Sequence, residues 1–410
     1  MTTFIHDVLK DLQNNNQNLS DLIFVLPSKR AGLFLKHQLT EVVNQTIFAP
    51  QILSIEEFVE ELSQLKSTSN TELLFEFYTT YKQLTKKENL DSFESFSKWA
   101  QILLQDFNEI DRYLIPQEKI FSYLSAIQDL KHWSLEENKT DFVKNYLSFW
   151  KKLHNYYNHF TNHLLNNKIG YQGLVYREAV ENLEAYIQNS PEKKHVFVGF
   201  NALNTAEETI IQELLQNDLA KIYWDIDEVF MQNDKHDAAL FTNQHLKNWN
   251  YFKNNPFHWI TKNYSKEKNI SAIGIPKNIG QAKYIGTLLN KIQKENESLN
   301  STAVVLGDEN LLIPVLNSLS ASIQALNITM GFPLKTIPLA SLFDSLFQLH
   351  KTNSNSFYYK DVINIISHQF TRPLFNIDGI DYSSKIIEII DKNNLIFLDY
   401  TRLAKIADKA

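Results

Sequence analysis

The 410-residue chain contains no cysteine, only ten glycines and no excess of positive charge. The absence of cysteine excludes disulfides, thiol catalysis and any cysteine-ligated zinc or iron–sulfur site within these residues. The low glycine content argues against several glycine-rich phosphate loops. The net charge of −7 means that the surface as a whole does not attract nucleic acid, so a nucleic-acid site would have to be a local groove.

The sequence also lacks long apolar runs. No segment reaches the roughly 18 consecutive apolar residues that a membrane span requires. The start, MTTFIHDVLKDL, has no basic segment followed by an apolar core, as a signal peptide would. We therefore expect a soluble, cytoplasmic protein without a membrane partner. Because 410 residues exceed one hydrophobic core and 43% of them are apolar, we expect two or three folded domains.

The order of apolar patterns predicts an α/β fold in which an all-helical block interrupts the first of two lobes. The block is recognised by apolar residues at helical spacing without a convincing strand. The predicted boundaries are 1–68 for the first part of the first lobe, 69–190 for the helical insertion, 191–265 for the second part of that lobe, and 266–410 for the second lobe with the start of a further helical insertion.

Three short apolar runs of the first lobe predict strands at 22–26, 195–200 and 222–225, which we expect in one parallel sheet. After the first strand, Leu33, Phe34 and Leu35 are expected to begin the apolar face of a helix that continues to Leu39. After the second strand, NTAEETIIQELLQND predicts a helix in which Thr205 and Glu208 have the spacing of a capping box.

The last segment restarts an α/β pattern. ISAIGI and TAVVLG predict strands near 270–275 and 302–306, with an amphipathic helix, GQAKYIGTLLNKI, between them. The chain ends at Ala410 in a helical region without completing an obvious second sheet, so we expect it to be a piece of a longer protein.

The stretch FVLPSKRAGLFLK (24–36) reads as a strand, a tight turn and a helix, with Ser28, Lys29 and Arg30 in the turn. Open α/β sheets bind ligands where strands end in this way. Basic turn residues are usually solvated. A serine hydroxyl, helical N–H groups and cationic side chains nevertheless suit a phosphate. Both interpretations remain open from the residues alone.

Other chemistry-bearing residues favour structural roles. Asp225, Asp227 and Glu228 at a strand end are more typical of a helix cap or a solvated loop than of a metal site. His159 and His163 share a helix face but lack an evident third ligand. We expect no metal, cofactor or catalytic residue in this chain.

The aromatic residues of the helical block are expected in its core rather than stacked on bases. They are Trp99, Trp133, Trp150, Tyr156, Tyr157 and Phe160.

The layout resembles that of superfamily 1 helicases of the UvrD and Rep type, in which two RecA-like lobes carry a helical insertion. VLPSKRAGLFLKHQL resembles the strand–loop–helix element that grips single-stranded DNA in that family, QILSIEEFVEEL resembles its next DNA-contacting element, and GQAKYIGTLLNKI resembles the helix that opens its second lobe. The resemblance implies two degenerate P-loop NTPase-like lobes. It also implies that Ser28, Lys29, Arg30 and Ser54 contact single-stranded DNA.

Further stretches resemble the N-terminal, helicase-like region of AddB-type subunits of bacterial helicase–nucleases: PSKRAGLFL, GLVYREA, VFVGFNALNTAEETII, IPKNIGQAKYI and NITMGFPL. This resemblance implies a role in double-strand break repair and recombination beside an AddA-type catalytic partner. It also implies that any PD-(D/E)XK nuclease domain, with its Mg²⁺, lies beyond Ala410. Arg177 in GLVYREA either anchors a junction by an ion pair or touches DNA.

The features that such helicases need for nucleotide chemistry are not found. MTT stands where the phosphate loop should end, Gly199-Phe200 stands in place of the Asp-Glu that holds magnesium, and Gly307-Asp308 stands in place of an arginine. We therefore expect a chain that does not hydrolyse ATP. The alternative function is a protein-interaction scaffold that docks a catalytic helicase without touching DNA, which the net charge of −7 favours slightly.

Overall fold

The structure is a computed structural model that describes residues 3–15, 17–43, 45–131, 141–233, 235–257, 259–296, 298–351 and 355–410. The chain divides into two compact units, Met1–Asn269 (unit 1) and Ile270–Ala410 (unit 2). Each unit is described by itself.

Unit 1 is built on a parallel β-sheet. Its strands are β1 (Leu22–Leu26), β2 (Gln51–Ser54), β3 (Lys66–Ser67), β4 (Ile169–Gly170), β5 (Lys194–Val198) and β6 (Ala220–Tyr223). Four of these form one sheet in the order β2-β1-β5-β6, and every neighbouring pair is parallel. The predicted parallel sheet is therefore confirmed, with β1, β5 and β6 at the expected positions. Strands β3 and β4 form a separate two-stranded parallel pair.

Helices account for most of the rest of unit 1. In its described part they are α1 (Phe4–Asn14), α2 (Lys29–Val42), α3 (Ile55–Ser63), α4 (Asn70–Leu84), α5 (Phe93–Arg112), α6 (Gln117–Lys131), α7 (Asp141–Asn166), α8 (Gln172–Glu181), α9 (Leu183–Asn189), α10 (Thr205–Gln216), α11 (Glu228–Met231), α12 (Leu240–Asn248) and α13 (Tyr251–Asn254). Single turns of 3-10 helix occur at Leu19–Asp21, Lys87–Asn89 and Asp237–Ala239.

The sheet separates two apolar cores. All five residues of β1 are buried, as expected for a parallel strand that is covered on both faces. Phe24 and Leu26 pack on one face with α1 and α2. Ile23 and Val25 pack on the other face with α3, α8 and α10. Helices therefore cover the sheet on both faces.

The chain between β2 and β5 contains the helical block, α4–α9, and its aromatic residues pack as predicted. Tyr156, Tyr157 and Phe160 are buried, and Trp99 and Trp150 pack against the same core. Trp133 lies outside the described residues.

Unit 2 contains helices and two short antiparallel strand pairs in its described part. The helices are α14 (Asn278–Asn296), α15 (Leu312–Leu316), α16 (Pro338–His350), α17 (Tyr359–Ile366), α18 (Tyr382–Lys392) and α19 (Tyr400–Lys409), with 3-10 turns at Glu309–Leu311, Leu334–Thr336 and Arg372–Phe375. The strands are β7 (Ser356–Tyr358), β8 (Asn376–Ile377), β9 (Ile380–Asp381) and β10 (Phe397–Asp399), paired β7 with β10 and β8 with β9.

The prediction of strands at 270–275 and 302–306 is wrong. Both segments lie outside any helix or β-ladder of the described residues. Ile270 is 85% exposed and Val305 is 90% exposed. Strand propensity reflects packing against neighbouring strands more than an intrinsic backbone preference, so an apolar run does not form a strand without a partner.

Among the described residues, no helix has the length and apolarity required to cross a lipid bilayer.

A buried histidine in the sheet makes the stability of unit 1 depend on pH. His195 of β5 is 1% exposed, with Nδ1 3.1 Å from the carbonyl oxygen of Leu219 and Nε2 2.8 Å from the Tyr186 hydroxyl. The neutral ring satisfies both partners by donating from Nδ1 and accepting at Nε2. Burial lowers the pKa of His195 from 6.5 to about 4.

Because the folded-state pKa is the lower one, the neutral ring stabilises unit 1 above the unfolded value, and this contribution is lost as the pH falls from about 6.5 to about 4. The loss should reach about 3 kcal/mol. We expect urea unfolding, followed by tryptophan fluorescence, to weaken more steeply over this range in the wild type than in His195→Gln. Parallel pH profiles for the two proteins would contradict this assignment.

Candidate nucleic-acid interface

The carboxyl edge of the unit 1 sheet has a topological switch point between β1 and β5. From β1 the chain crosses through α2 to β2 on one side, and from β5 it crosses through α10 to β6 on the other side. The two crossing helices pack on opposite faces of the sheet. In open α/β sheets, this is the position where ligands bind. Ser28 follows β1 here, and Gly199 follows β5 with a φ of 76°, a conformation that favours glycine.

The turn singled out in the sequence forms the start of α2. Ser28 is the N-cap residue, and its hydroxyl accepts a hydrogen bond from the Ala31 N–H at 3.3 Å. Lys29 and Arg30 are the first two helical residues, and both are exposed. The first turn of α2 contains no acidic residue. Ser28 is therefore committed to capping, while the two cations face outward at the edge of the sheet.

Lys29 and Arg30 differ in their partners. Lys29 Nζ lies 2.9 Å from Glu57 Oε1, and this hydrogen bond raises the pKa of Lys29. In the described chain, the guanidinium group of Arg30 forms no ion pair or hydrogen bond. Exposed ion pairs contribute little to stability, so the free-energy cost is small when Lys29 leaves Glu57 and binds another anion. Arg30 is thus the cation that is free for a ligand, and Lys29 is available by exchange.

Ser54 occupies a different environment from the one its sequence motif implies. It caps α3 in a reciprocal capping box: its hydroxyl accepts from the Glu57 N–H at 3.3 Å, and its own N–H donates to Glu57 Oε2 at 2.9 Å. That backbone hydrogen bond is the main reason why the pKa of Glu57 is lowered. Ser54 is only 2% exposed. Its side chain is therefore enclosed and cannot reach a DNA strand in this conformation.

Negative side chains occupy the other helix starts at this edge. Glu57 fills the start of α3, and Asp7 lies in the first turn of α1, which begins beside Gly199. The start of α10 is closed by a capping box of Asn204 and Glu207. The predicted cap at Thr205 and Glu208 is thus wrong by one residue. Asparagine is as good an N-cap residue as threonine or better. It takes the N-cap position here because the turn between β5 and α10 ends one residue earlier than predicted.

Arg177 does not belong to this edge. Its Nε lies 2.6 Å from Asp111 Oδ1, and its NH2 group donates to the carbonyl oxygens of Ile110 and Ile115 at 3.1 and 2.8 Å. Asp111 is fully buried and also accepts hydrogen bonds from the hydroxyls of Tyr157 and Tyr171. Of the two roles that the sequence left open, the structure supports the ion pair, which joins α5 to α8 within the helical block.

The remaining candidates have local structural roles. Asp227 caps α11 through the Val229 N–H and accepts the backbone N–H groups of Asn263 and Tyr264, which lower its pKa. The prediction of a helix cap is confirmed. His163 pairs with Glu76 at 2.6 Å, whereas His159 bonds the carbonyl oxygen of Asn155.

Sequence reasoning missed Asp111 and misplaced two apolar residues of α2. Nothing in the local pattern around Asp111 distinguishes a buried anion from an exposed one, because its partners come from distant helices. Leu35 and Leu39 of α2 are buried, but Leu33 is 65% exposed and Phe34 is 56% exposed, so the predicted place of these two residues on the apolar face is wrong. Residues two apart on an α-helix lie about 200° apart around its axis, which the spacing of 33 and 35 already indicated.

No family model matches the chain, and no curated protein matches it significantly. The fold and the site define a mixed α/β protein with a parallel sheet. Its candidate site is a cationic helix start at the switch point of that sheet.

Proposed function

We propose that unit 1 binds the sugar–phosphate backbone of single-stranded DNA at the start of α2. The observation that carries the proposal is the exposed Lys29–Arg30 pair at the switch point, on a helix whose first turn has no acidic residue. Phosphate contacts hold a strand without reading its sequence, so we expect no base preference.

The wider proposal follows the resemblance in the sequence. The chain would be the ATPase-inactive, helicase-like region of an AddB-type helicase–nuclease subunit that acts in double-strand break repair. It would pack against an AddA-type catalytic partner, and its two units would correspond to two RecA-like lobes. Support comes from the parallel sheet of unit 1 and from the helical block inserted between β2 and β5. Any nuclease chemistry with Mg²⁺ would belong to residues beyond Ala410.

A second candidate is a scaffold that docks a catalytic helicase and contacts no DNA. Two observations favour it: the net charge of −7 and the pairing of Lys29 with Glu57, which uses one of the two cations internally. In this case the carboxyl edge of the sheet is an ordinary protein surface.

The double variant Lys29→Ala/Arg30→Ala separates the two candidates. We expect weaker binding to oligodeoxythymidine and a log–log salt dependence that is flatter by about 1 to 1.5, because each lost phosphate contact on a single strand removes about 0.7. Fluorescence anisotropy of a labelled strand across a salt series measures both quantities. Stability should hardly change, since the residues are exposed.

The matched control is Lys86→Ala/Lys87→Ala, which removes the same charge from an exposed turn elsewhere in unit 1. It should leave the affinity and the salt slope nearly unchanged. If the Lys29→Ala/Arg30→Ala variant binds DNA as the wild type does, or if both variants lose affinity equally, α2 is not the DNA site.

A further inference from the structure

Two large apolar side chains lie exposed beside the cations of α2. Phe34 is 56% exposed and Leu33 is 65% exposed, while Leu35 and Leu39 of the same helix face the core. Phe75, another exposed phenylalanine of unit 1, stacks on Phe93 with ring centroids 4.8 Å apart. Within the described chain, by contrast, Phe34 meets no other aromatic ring.

The position of Phe34 on the helix brings it next to the free cation. Arg30 and Phe34 are four residues apart, so they are neighbours on one face, about 6 Å apart along the helix axis. His37 and Glu41 continue this face along the helix, whereas the exposed Lys36 lies about 200° from Phe34 around the axis. A phosphate that Arg30 binds therefore lies within one nucleotide of the ring of Phe34.

The charged residues of α2 indicate the kind of ligand that this face binds. Helix α2 contains Lys29, Arg30 and Lys36 against one acidic residue, Glu41, which lies two turns beyond Phe34 on the same side of the helix and pairs with His37 at 3.6 Å. This local excess of positive charge belongs to a chain with a net charge of −7. The face is therefore complementary to an anionic partner that also presents flat apolar surfaces.

An unpaired nucleotide fits these requirements better than a protein does. A stable protein interface buries roughly 1,200–2,000 Å², which two adjacent side chains on a convex helix do not supply. A single nucleobase, in contrast, can stack on a single aromatic ring regardless of its sequence.

We infer that Phe34 is a base-stacking residue, and that an unpaired base lies on its ring while Arg30 holds the adjacent phosphate. This inference rests on the proposed function and adds to it a contact with the bases themselves. Leu33 widens the apolar platform on the same side of α2. The contact makes the face selective for single strands, because the bases of a duplex are already stacked on each other.

The variant Phe34→Ala tests the stacking contact. We expect it to lower the affinity for an oligodeoxythymidine strand about tenfold. It should not change the affinity for an abasic strand of the same length, which has the same phosphates and no bases. The salt slope should stay at the wild-type value, because no charge is lost. Phe34→Trp should retain the wild-type affinity for both strands.

Ile102→Ala is the matched control, since Ile102 is an exposed apolar residue of α5, 64% accessible, in the same unit. It should bind both strands as the wild type does. If Phe34→Ala leaves the affinity for oligodeoxythymidine unchanged, or lowers the affinity for both strands equally, the stacking role is wrong. Loss of binding to an AddA-type helicase with unchanged DNA affinity would also overturn it and assign the face to a protein partner.

The two proposals fail in different ways. If the wild type binds neither strand, the proposed DNA function itself fails. If the wild type binds the abasic and the normal strand with equal affinity, phosphate binding stands and only the inference about Phe34 is overturned.

Discussion

Arg177→Met is expected to lower the free energy of unfolding of unit 1 by about 3–5 kcal/mol, the usual cost of removing one partner from a buried ion pair. Asp111 is fully buried, and Arg177 Nε lies 2.6 Å from its Oδ1. Methionine keeps much of the volume of the arginine stem, so the effect reports the lost charge and hydrogen bonds rather than a cavity.

The loss is large because the remaining hydrogen bonds do not neutralise the carboxylate. The hydroxyls of Tyr157 and Tyr171 donate to Asp111, and burial, followed by the charge of Asp111, raises the pKa of both phenols. The variant also leaves the carbonyl oxygen of Ile115 without the donor that Arg177 supplies, whereas that of Ile110 still accepts the Ile115 N–H at 2.8 Å. Unpaired buried polar groups add their own desolvation cost.

Urea unfolding followed by tryptophan fluorescence measures this effect in unit 1 alone, because all six tryptophans lie within Met1–Asn269. Asp111→Asn/Arg177→Met should lose less stability than Arg177→Met, since the double variant leaves no buried charge unpaired. Lys98→Met removes an exposed partner of Glu94 and should change stability by less than about 1 kcal/mol. A loss of that small size in Arg177→Met would show that the pair does not hold α5 and α8 together.

Gly173→Ala is expected to destabilise unit 1 by at least about 2 kcal/mol. Gly173 of α8 faces the backbone of α5, where an added Cβ would lie 2.1 Å from the carbonyl oxygen of Asn108. Its N–H donates to Asn108 Oδ1 at 2.7 Å, so the two helices are already held in close contact. A methyl group fits only if one backbone moves away from the other.

Gly32→Ala provides the control. Its added Cβ would lie 3.2 Å from a terminal methyl group of Ile52, which can shift by a few tenths of an ångström. Alanine also has a higher helix propensity than glycine, by about 1 kcal/mol. The same unfolding measurement should therefore find Gly32→Ala near neutral or slightly stabilising. Equal effects of the two substitutions would contradict the close packing of α5 on α8.

The sheet of unit 1 was predictable because its strands are recognisable in the sequence as short apolar runs. Strand β1 is covered on both faces, so it reads as a continuous apolar run, and β5 does so almost as clearly. The runs ISAIGI and TAVVLG are also mainly apolar, yet they form no strand. Strand pairing depends on a partner that is distant in sequence, and a local pattern carries no information about whether that partner is present.

The position of the candidate site was predictable from the sequence, but the contacts of its residues were less so. The strand–turn–helix pattern located Ser28, Lys29 and Arg30 at the end of β1, where the structure has them. The enclosure of Ser54 depends on how α3 packs. The role of Arg177 depends on Asp111, 66 residues earlier in the chain, and could not be read from GLVYREA alone.

The most direct test of the central claim is the equilibrium binding of the full chain to a labelled oligodeoxythymidine of about 20 nucleotides, longer than the site of a single binding fold. The measurement is made between about 50 and 200 mM salt. Contacts from Lys29 and Arg30 with two phosphates predict binding that weakens with salt at a log–log slope of about −1.4 or steeper. No binding at the lowest salt, with protein up to about 10⁻⁴ M, would contradict the account, because even non-specific complexes form at that concentration.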